Sequence, residues 1–504
     1  MCMSDTARYS LLLGVLLSCA PSVRAASPAP IQITIDWLKV AATSQTSIAV
    51  QDCPEPPLYR GRPLHDKIYR ALRDMNADYS RLQPWFPYPK LAVAELRPPE
   101  QHRTWWDFKL LDEIVADFMQ ATAGHAVVFQ PGTIPAWMTS SAAVRYPENP
   151  EEIDWTYGRD GKFQDSTVRQ FADYQARLAG WYIKGGFTDE NGVRHSSGHN
   201  YRFEYWEPLN EEDQRFTPEQ LTRLYDAAVE SVRRVAPGMK FVGPTLADTA
   251  THPEYLTYFL NPANHKPGIP IDMLSYHFYT GSSSDETPQI MQRTIYRDAD
   301  KFLAVVDYIE AMRKQVLPHV RTDITELGSI VAPPMEVPLS KPFPSSYWGL
   351  SGAVWAYMYG NLAAKGIDVV TAAELIDYPG QFAATTLVNW ETGEPNAHYW
   401  VVKLLHDNFG PGDRIIEQTP ASEESQPNPA IQIYARGFIT PRGQRRILLV
   451  NKRENAVEVV VAGATGGEIQ VVDQSTTAAP GSRKILRDTL QLPPSAVAVV
   501  TLQQ

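Results

Sequence analysis

Cysteine is scarce in this chain, with three residues in 504. We expect Cys2 and Cys19 to be removed with an N-terminal leader, which leaves Cys53 without a partner. A disulfide framework and a cysteine-based metal site are therefore excluded. Long hydrophobic runs are also missing after residue 30, because no segment approaches the roughly 18 uninterrupted apolar residues that span a bilayer. We therefore expect a soluble mature chain.

The N-terminal segment has the layout of a secretory signal. Arg8 precedes the apolar run 11–17, and small residues around Ala25 end the segment, as cleavage by a signal peptidase requires. Residues 1–26 are therefore predicted to be a signal peptide, and the mature chain is expected in the periplasm or outside the cell. The alternative is a lipid anchor at Cys19, because the residues before it resemble a lipoprotein cleavage box. Without that lipid we expect no membrane association.

Basic residues are in the minority, since 46 Lys and Arg stand against 57 Asp and Glu and give a net charge of −11. Nucleic-acid binders concentrate basic residues on one face, so this balance argues against a nucleic-acid partner. The signatures G-x-S-x-G, G-x-G-x-x-G, G-x-x-x-x-G-K and H-E-x-x-H are missing as well, so we expect no cofactor and no metal. Aromatic residues reach 11%, which suits an ordinary core and equally the stacking of rings on sugars.

Between Asp66 and Phe409 the sequence alternates short β-rich runs with longer amphipathic stretches, a pattern typical of parallel strands joined by covering helices. One helix is well marked, because Thr217 and Gln220 form a capping box before an apolar repeat of helical spacing that ends at Pro237. Eight strand and helix pairs favour a (β/α)8 TIM barrel over an open doubly wound sheet. The predicted strands are 46–50, 78–83, 126–130, 203–206, 240–246, 273–279, 321–326 and 368–373.

After Gly410 the sequence changes to short alternating runs separated by Gly, Pro and Asn turns, which indicates antiparallel strands. We predict a barrel domain at 27–410 and an accessory C-terminal β-sandwich at 411–504. The segment 31–50 precedes the barrel pattern and could pair with the sandwich. The predicted sandwich strands are 431–438, 446–450, 456–461, 468–472 and 496–502.

Acidic residues stand at the carboxyl ends of predicted barrel strands, where barrels of this kind build their active sites. Glu207 and Glu211 follow the fourth predicted strand, with Asn210 beside the second of them, and Glu326 ends the seventh. Two carboxylates at one barrel mouth can stand the roughly 5 to 5.5 Å apart that retaining glycoside hydrolysis needs, one as acid/base and one as nucleophile. Most acidic residues are solvated surface charges, which is the alternative for each of these.

Other strand-end residues favour the same mouth. His277 and Tyr279 stand two apart on the sixth predicted strand and so point the same way, where they could hold sugar hydroxyls or the nucleophile. A half-buried structural histidine is the alternative. Arg81 could keep a carboxylate ionised by lowering its pKa, or could form a barrel salt bridge. Trp137 and Trp390 lie in predicted loops after strands, where they could stack on sugars or plug an edge of the core.

Four motifs in order along the chain resemble those of a known family. The run 205–211 (YWEPLNE) resembles the Asn-Glu acid/base motif of the large clan of (β/α)8 glycosidases, and 323–327 (DITEL) resembles its nucleophile strand. Together with 276–279 (YHFY) and 390–400 (WETGEPNAHYW), they make the chain similar to glycoside hydrolase family 39, the family of β-xylosidases and α-L-iduronidases. The resemblance covers residue 30 to the C terminus.

The resemblance implies Glu211 as general acid/base and Glu326 as nucleophile. It also implies that the sugar in the reacting subsite is contacted by Asn210, His277 and Tyr279.

One feature departs from the family pattern. Trp usually stands directly before Asn-Glu-Pro, whereas here Trp206 is followed by Glu-Pro-Leu before Asn210, which makes Glu207 a rival acid. We favour Glu211, because an Asn precedes it. Glu374, after the last predicted strand, is expected to bind sugar hydroxyls where related enzymes place acidic residues.

The sequence thus predicts a secreted retaining β-xylosidase that releases xylose from xylo-oligosaccharides. An enzyme acting on bacterial exopolysaccharide and an iduronidase-like enzyme are the catalytic alternatives, and a non-catalytic sugar-binding barrel is the alternative of another class. A uronate would need cationic contacts, and the predicted mouth residues include no Arg or Lys cluster. The sequence does not fix the oligomeric state and favours a monomer only slightly.

Overall fold

The computed structural model describes residues 30–139, 145–158, 162–335, 337, 339, 341–418 and 433–503. The predicted signal peptide and the alternative lipid site at Cys19 lie outside these residues. Within them, no helix combines the length and the apolar character needed to cross a bilayer.

Eight parallel strands close into a barrel, which confirms the predicted fold. Closure is made by Val369–Ala372, which pairs with Ser47–Asp52. The neighbouring strands Met273–Ser283 and Arg321–Ala332 pair with each other beyond the barrel mouth and are therefore longer than predicted. The barrel strands are Ser47–Asp52, Tyr79–Leu82, Ala126–Phe129, Tyr205–Trp206, Lys240–Leu246, Met273–Ser283, Arg321–Ala332 and Val369–Ala372.

Side-chain alternation along these strands fills the barrel in layers, because inward-facing positions recur every second residue. The lowest layer is an apolar cluster of Ala49, Val128, Tyr205, Val242, Met273 and Val369. Two residues further along the same strands, buried polar side chains replace the apolar ones, among them Gln51, Glu207, Ser275 and Thr371. The inward-facing layer is therefore mainly apolar near the base of the barrel and polar beneath its mouth.

Helices cover the outside of the barrel. The predicted capping box is confirmed, since the Thr217 side chain accepts from the Gln220 backbone N–H and the Gln220 side chain accepts from that of Thr217. The longer helices are His65–Met75, Lys109–Ala121, Arg169–Lys184, Pro218–Val235, Pro253–Leu260, Pro288–Val316, Ser345–Lys365 and Ala397–Asn408. Shorter turns of helix lie at Pro56–Leu58, Pro89–Ala92, Ala136–Met138, Glu212–Gln214 and Pro262–Asn264.

A β-sandwich packs against the barrel. Its seven-stranded sheet lies between the barrel helices and a three-stranded sheet. Successive side chains of the strand Arg445–Asn451 therefore pack alternately into the barrel core and into the sandwich core. Leu448 packs with the barrel core, whereas its neighbour Leu449 packs into the sandwich core. The larger sheet contains Val40–Thr43, Arg414–Ile416, Ile433–Ile439, Arg445–Asn451, Glu468–Val472, Arg483–Lys484 and Val497–Thr501, and the smaller contains Ile31–Ile33, Val457–Val461 and Thr489–Leu492.

The segment before the barrel contributes to both sheets of the sandwich. Ile31–Ile33 pairs in parallel with Val457–Val461. Val40–Thr43 pairs in antiparallel fashion with Arg414–Ile416. The chain then enters the barrel at Ser47. A separate hairpin outside the barrel is formed by Gly186–Thr188 and Arg194–Ser196.

Candidate active site

Arg81 is the centre of the polar layer beneath the mouth. It faces inward from the strand Tyr79–Leu82 and its side chain is 1% exposed. A buried guanidinium is tolerable only when its donors are satisfied by acceptors of opposite or partial negative charge. Its donors reach Glu207 (Nε, 2.7 Å), Glu326 (Nη1, 2.8 Å), Gln83 (Nη1, 2.6 Å), Asn210 (Nη2, 2.9 Å) and Gln51.

Glu326 lies at the mouth, held on both carboxylate oxygens. Arg81 donates to its Oε1, and the Tyr279 hydroxyl donates to its Oε2 at 2.7 Å. Burial opposes ionisation of this carboxyl, but the positive charges of His277 and Arg81 and the Tyr279 hydrogen bond outweigh it and hold its pKa below the usual value. Glu326 is therefore an ionised carboxylate at neutral pH, as a nucleophile must be.

Glu211 faces Glu326 across the mouth. One carboxylate oxygen of each, together with a ring nitrogen of His277, lies within 4.8 Å of the others. His277 Nδ1 is 2.9 Å from Glu211 Oε1 and 3.2 Å from Glu326 Oε2. Burial disfavours the imidazolium, but the negative charges of Glu326 and Glu211 outweigh it and raise the pKa of His277 above its usual value. The imidazole thus bridges the two carboxylates.

The backbone at Glu211 adopts the left-handed region, with φ of 54°, and its N–H donates to the Thr245 carbonyl at 2.9 Å. Thr245 has φ of 62°, which is rare for a β-branched residue. Such conformations persist only where the surrounding structure enforces them, and they cluster at functional sites. Here they turn the chain after the strand Tyr205–Trp206 so that Glu211 points into the mouth.

Glu207 occupies the interior instead. Its side chain is fully buried. Oε2 accepts from Arg81, and Oε1 accepts from the Thr245 hydroxyl at 2.6 Å. Both oxygens of this carboxylate are therefore engaged beneath the mouth, on the side of Arg81 away from solvent.

A cavity of about 290 Å³ opens above these groups, at the low end of the size range of small-ligand sites. Glu211, Glu326, Asn210 and Tyr279 line it together with Glu374. Its aromatic wall consists of three half-buried rings, with centroids 5.3 to 6.0 Å apart, from Trp85, Trp155 and Phe382. The arrangement combines flat apolar faces with carboxylates, which suits a sugar ring.

Glu374 lies in the cavity wall. It accepts from the Cys53 backbone N–H at 3.2 Å and from the Gln51 side chain at 3.5 Å. Burial and the negative charge of Asp377 raise the pKa of Glu374 well above its usual value. Burial likewise raises the pKa of Asp377 to about 6, in a carboxyl group that also lines the cavity.

Two predicted sugar contacts are placed elsewhere. Trp137 is 8% exposed and its indole N–H donates to the Glu95 carbonyl at 3.0 Å, so it fills the core beside the barrel. Trp390 packs against the same core. Neither is among the residues that line the cavity. Of the remaining predicted site residues, Arg81 and His277 lie just beneath the cavity and the others line it.

Sequence reasoning missed the aromatic wall and the acidic residues around Glu374. Trp85 has a recognisable position in the sequence, because it stands three residues after the strand Tyr79–Leu82. Trp155 and Phe382 belong to long loops whose path no periodicity reveals. Asp377 stands three residues after Glu374, and this spacing alone does not indicate a functional site.

Comparison with known proteins gives a similarity of fold. No protein-family model matches the chain, and no curated protein matches it. Among solved structures, a conserved exported protein from Bacteroides fragilis has a TM-score of 0.63 at 13% identity, covering 94% of this chain and 100% of that one. The GH51 arabinofuranosidase from Xanthomonas axonopodis pv. citri has a TM-score of 0.61 at 13% identity, with 94% and 99% covered. A GH30 endoxylanase from Clostridium papyrosolvens C71 has a TM-score of 0.55 at 13% identity, with 94% and 100% covered. The shared architecture thus spans almost the whole chain, sandwich included.

Proposed function

We propose that this protein is an exported, retaining glycoside hydrolase of family 39, in which Glu326 is the nucleophile and Glu211 the acid/base. The observation that carries the proposal is the approach of the two carboxylates, whose oxygens lie within 4.8 Å of each other above a cavity with aromatic walls. Retaining enzymes place these groups about 5 to 5.5 Å apart, whereas inverting enzymes leave room for a water molecule. A sugar-binding barrel without catalysis has no need of this spacing.

The mechanism is a double displacement. Glu326 attacks the anomeric carbon while Glu211 donates its proton to the glycosidic oxygen, so that the leaving alcohol departs and a glycosyl ester forms on Glu326. Water then attacks the same carbon, Glu211 takes the proton of that water, and Glu326 is released as a carboxylate. His277, Arg81 and Tyr279 keep Glu326 ionised, and the hydrogen bonds from Arg81 and Tyr279 fix it in position.

Glu211 is favoured over Glu207 as the acid because of access. Glu211 lines the cavity and its side chain is 25% exposed, whereas both oxygens of Glu207 are buried and bonded. A general acid must come within hydrogen-bond reach of the leaving oxygen. Glu207 instead anchors Arg81.

For substrate we propose a β-linked xylose unit at the non-reducing end of a xylo-oligosaccharide. The described residues that line the cavity include no Lys or Arg, and Arg81 beneath them already has acceptors on each of its nitrogen atoms. A neutral sugar fits this wall, whereas the carboxylate of a uronate such as iduronate would meet Glu374 and Asp377. The alternative substrate, a bacterial exopolysaccharide, differs in the glycosidic linkage that the enzyme would cleave.

The two catalytic assignments are tested by Glu326→Ala and Glu211→Ala on an aryl β-xyloside. We expect Glu326→Ala to lose ~10⁴-fold or more in kcat, because the covalent route is removed. We expect Glu211→Ala to lose roughly 10²- to 10⁴-fold, and less with a leaving group that needs no proton. Added azide should give the α-glycosyl azide with Glu326→Ala and the β-glycosyl azide with Glu211→Ala. Near-normal turnover by Glu326→Ala would exclude it as nucleophile.

Glu207→Gln separates the anchoring role from the acid role. It leaves the buried Arg81 short of a charged partner, so we expect the free energy of unfolding to fall by about 3 to 5 kcal/mol. Glu211→Gln, at a partly exposed side chain, is expected to change it by about 1 kcal/mol or less. Urea unfolding of both variants measures the difference. Equal, small effects would contradict the anchoring role of Glu207.

A panel of aryl β-xyloside, aryl α-arabinofuranoside and aryl α-iduronide tests the sugar. We expect the xyloside to give the highest kcat/KM and the iduronide to give the lowest, because no Lys or Arg is among the described residues that line the cavity. Release of xylose one unit at a time from defined xylo-oligosaccharides, followed by chromatography, then identifies exo action. Preference for the iduronide would refute the substrate proposal and leave the mechanism intact.

The pH profile tests the hold of Tyr279 on Glu326. Because the hydroxyl lowers the pKa of Glu326, Tyr279→Phe raises it, and the acid limb of kcat/KM should move to higher pH. A charge-assisted hydrogen bond of about 1.5 to 3 kcal/mol corresponds to a shift of roughly one pH unit or more. The matched control is Tyr276→Phe, since that hydroxyl is buried in the same strand without a partner. An unmoved acid limb in Tyr279→Phe would show that the limb belongs to another group.

A further inference from the structure

A second group of carboxylates lies in the wall of the cavity, apart from the Glu211 and Glu326 pair. Glu55, Glu374 and Asp377 each place one oxygen within 4.8 Å of the other two. Their exposed fractions are 1%, 5% and 2% respectively. Glu374 and Asp377 line the cavity, which gives the group a path to solvent.

No positive charge offsets this group. Within the described parts of the chain, no Lys, Arg or His nitrogen makes an ion pair with Glu55, Glu374 or Asp377. Their hydrogen-bond donors are neutral, as for Asp377, which accepts from the Phe382 backbone N–H and the Thr385 hydroxyl. Three buried carboxylates with only neutral donors carry a large desolvation penalty unless a cation or protons compensate them.

Unpartnered oxygens point to a ligand as well. Among the described residues, none donates a hydrogen bond to the buried Oε2 of Glu55. Asp52 is fully buried, neither of its oxygens has a partner in the same part of the chain, and its negative charge acts on both Glu55 and Glu374. A buried acceptor left unpaired is unfavourable, and a bound cation would relieve this cost for the oxygens of this region.

The donor set selects the kind of cation. It consists of carboxylate oxygens, with the Thr385 hydroxyl beside Asp377, and calcium takes six to eight oxygen ligands at about 2.3 to 2.6 Å. Three oxygens that lie within 4.8 Å of one another leave room for one ion between them, at distances close to this range. Magnesium demands a stricter octahedron and keeps its water, and softer metals prefer nitrogen or sulfur.

We propose that Glu55, Glu374 and Asp377 form a calcium site in the cavity wall, with Asp52 adding negative charge behind it. Water molecules from the cavity complete the coordination. The sequence showed no sign of this metal site. The three ligands of the site come from two distant loops, which follow the first and the last barrel strands. The ion offsets part of the negative charge of the wall that Glu374 shares with the candidate active site.

The test uses the full chain after treatment with EDTA. We expect added Ca²⁺ to raise Tm by about 2 °C or more at saturation, with half-saturation in the range of about 10⁻⁵ to 10⁻³ M. Mg²⁺ at the same concentrations should give a smaller shift. Tb³⁺ should show luminescence sensitised by nearby Tyr and Trp residues, and Ca²⁺ should displace it. None of these readouts needs hydrolysis, so their outcome is independent of the proposed function.

Variants assign the effect to this group. Glu55→Gln should abolish the Ca²⁺ shift in Tm and the Tb³⁺ signal, with Asp377→Asn as a second variant if the first does not fold. The matched control is Glu95→Gln, because Glu95 is equally buried and both its oxygens lack partners, but it lies outside the group. It should keep both responses. The proposal is overturned if the wild-type chain responds to neither ion, which would mean that protons alone compensate the carboxylates. It is equally overturned if Glu55→Gln and Asp377→Asn respond as the wild type does.

Discussion

The buried guanidinium of Arg81 is the interaction on which the rest of the site depends. It joins Glu207 below to Glu326 above, so that one side chain fixes the nucleophile candidate in position and sets its charge. Without it, the two buried carboxylates would lose a charged partner that both of them share. The long reach of Arg and its five donors explain why this residue, and not Lys, serves here. The charge of the carboxylates at the mouth thus depends on a side chain in the layer beneath the mouth.

That layer exists because of strand alternation. The inward positions of the barrel are apolar at the base and polar two residues later, so each strand delivers one packing residue and one functional residue in turn. A shift of one residue in any strand would exchange inward and outward side chains. The apolar base therefore holds the register in which Arg81, Glu207 and Glu326 can meet.

The same regularity decides what the sequence could reveal. Arg81, Glu211, His277 and Glu326 stand on or directly after strands, and parallel strands bring their carboxyl ends together, so their meeting was predictable. The fold was predictable for the same reason, although the Gly and Ser residues at 281–283 and 328–329 concealed how far Met273–Ser283 and Arg321–Ala332 run. Pairing between these two neighbours extends them, and Val331 is buried near the end of the second strand.

Loops set the limit of this reasoning. Trp137 met the same criterion as Trp85, a tryptophan shortly after a strand, but the turn of helix Ala136–Met138 carries its indole into the core. The direction of a loop side chain depends on contacts with distant segments, which periodicity does not encode. Glu55 and Asp377 escaped notice for that reason, since their closeness arises from two loops that are more than 300 residues apart in the chain.

The strands Ile31–Ile33 and Val40–Thr43 have a consequence for the order of assembly during synthesis. Both emerge from the ribosome early, yet their pairing partners, Val457–Val461 and Arg414–Ile416, are among the later segments to be translated. The barrel likewise waits for Val369–Ala372 before its first strand gains its second neighbour. These two strands therefore lack their native pairing partners until segments some 370 to 430 residues later have been synthesised, because Val40–Thr43 pairs with Arg414–Ile416 and Ile31–Ile33 pairs with Val457–Val461.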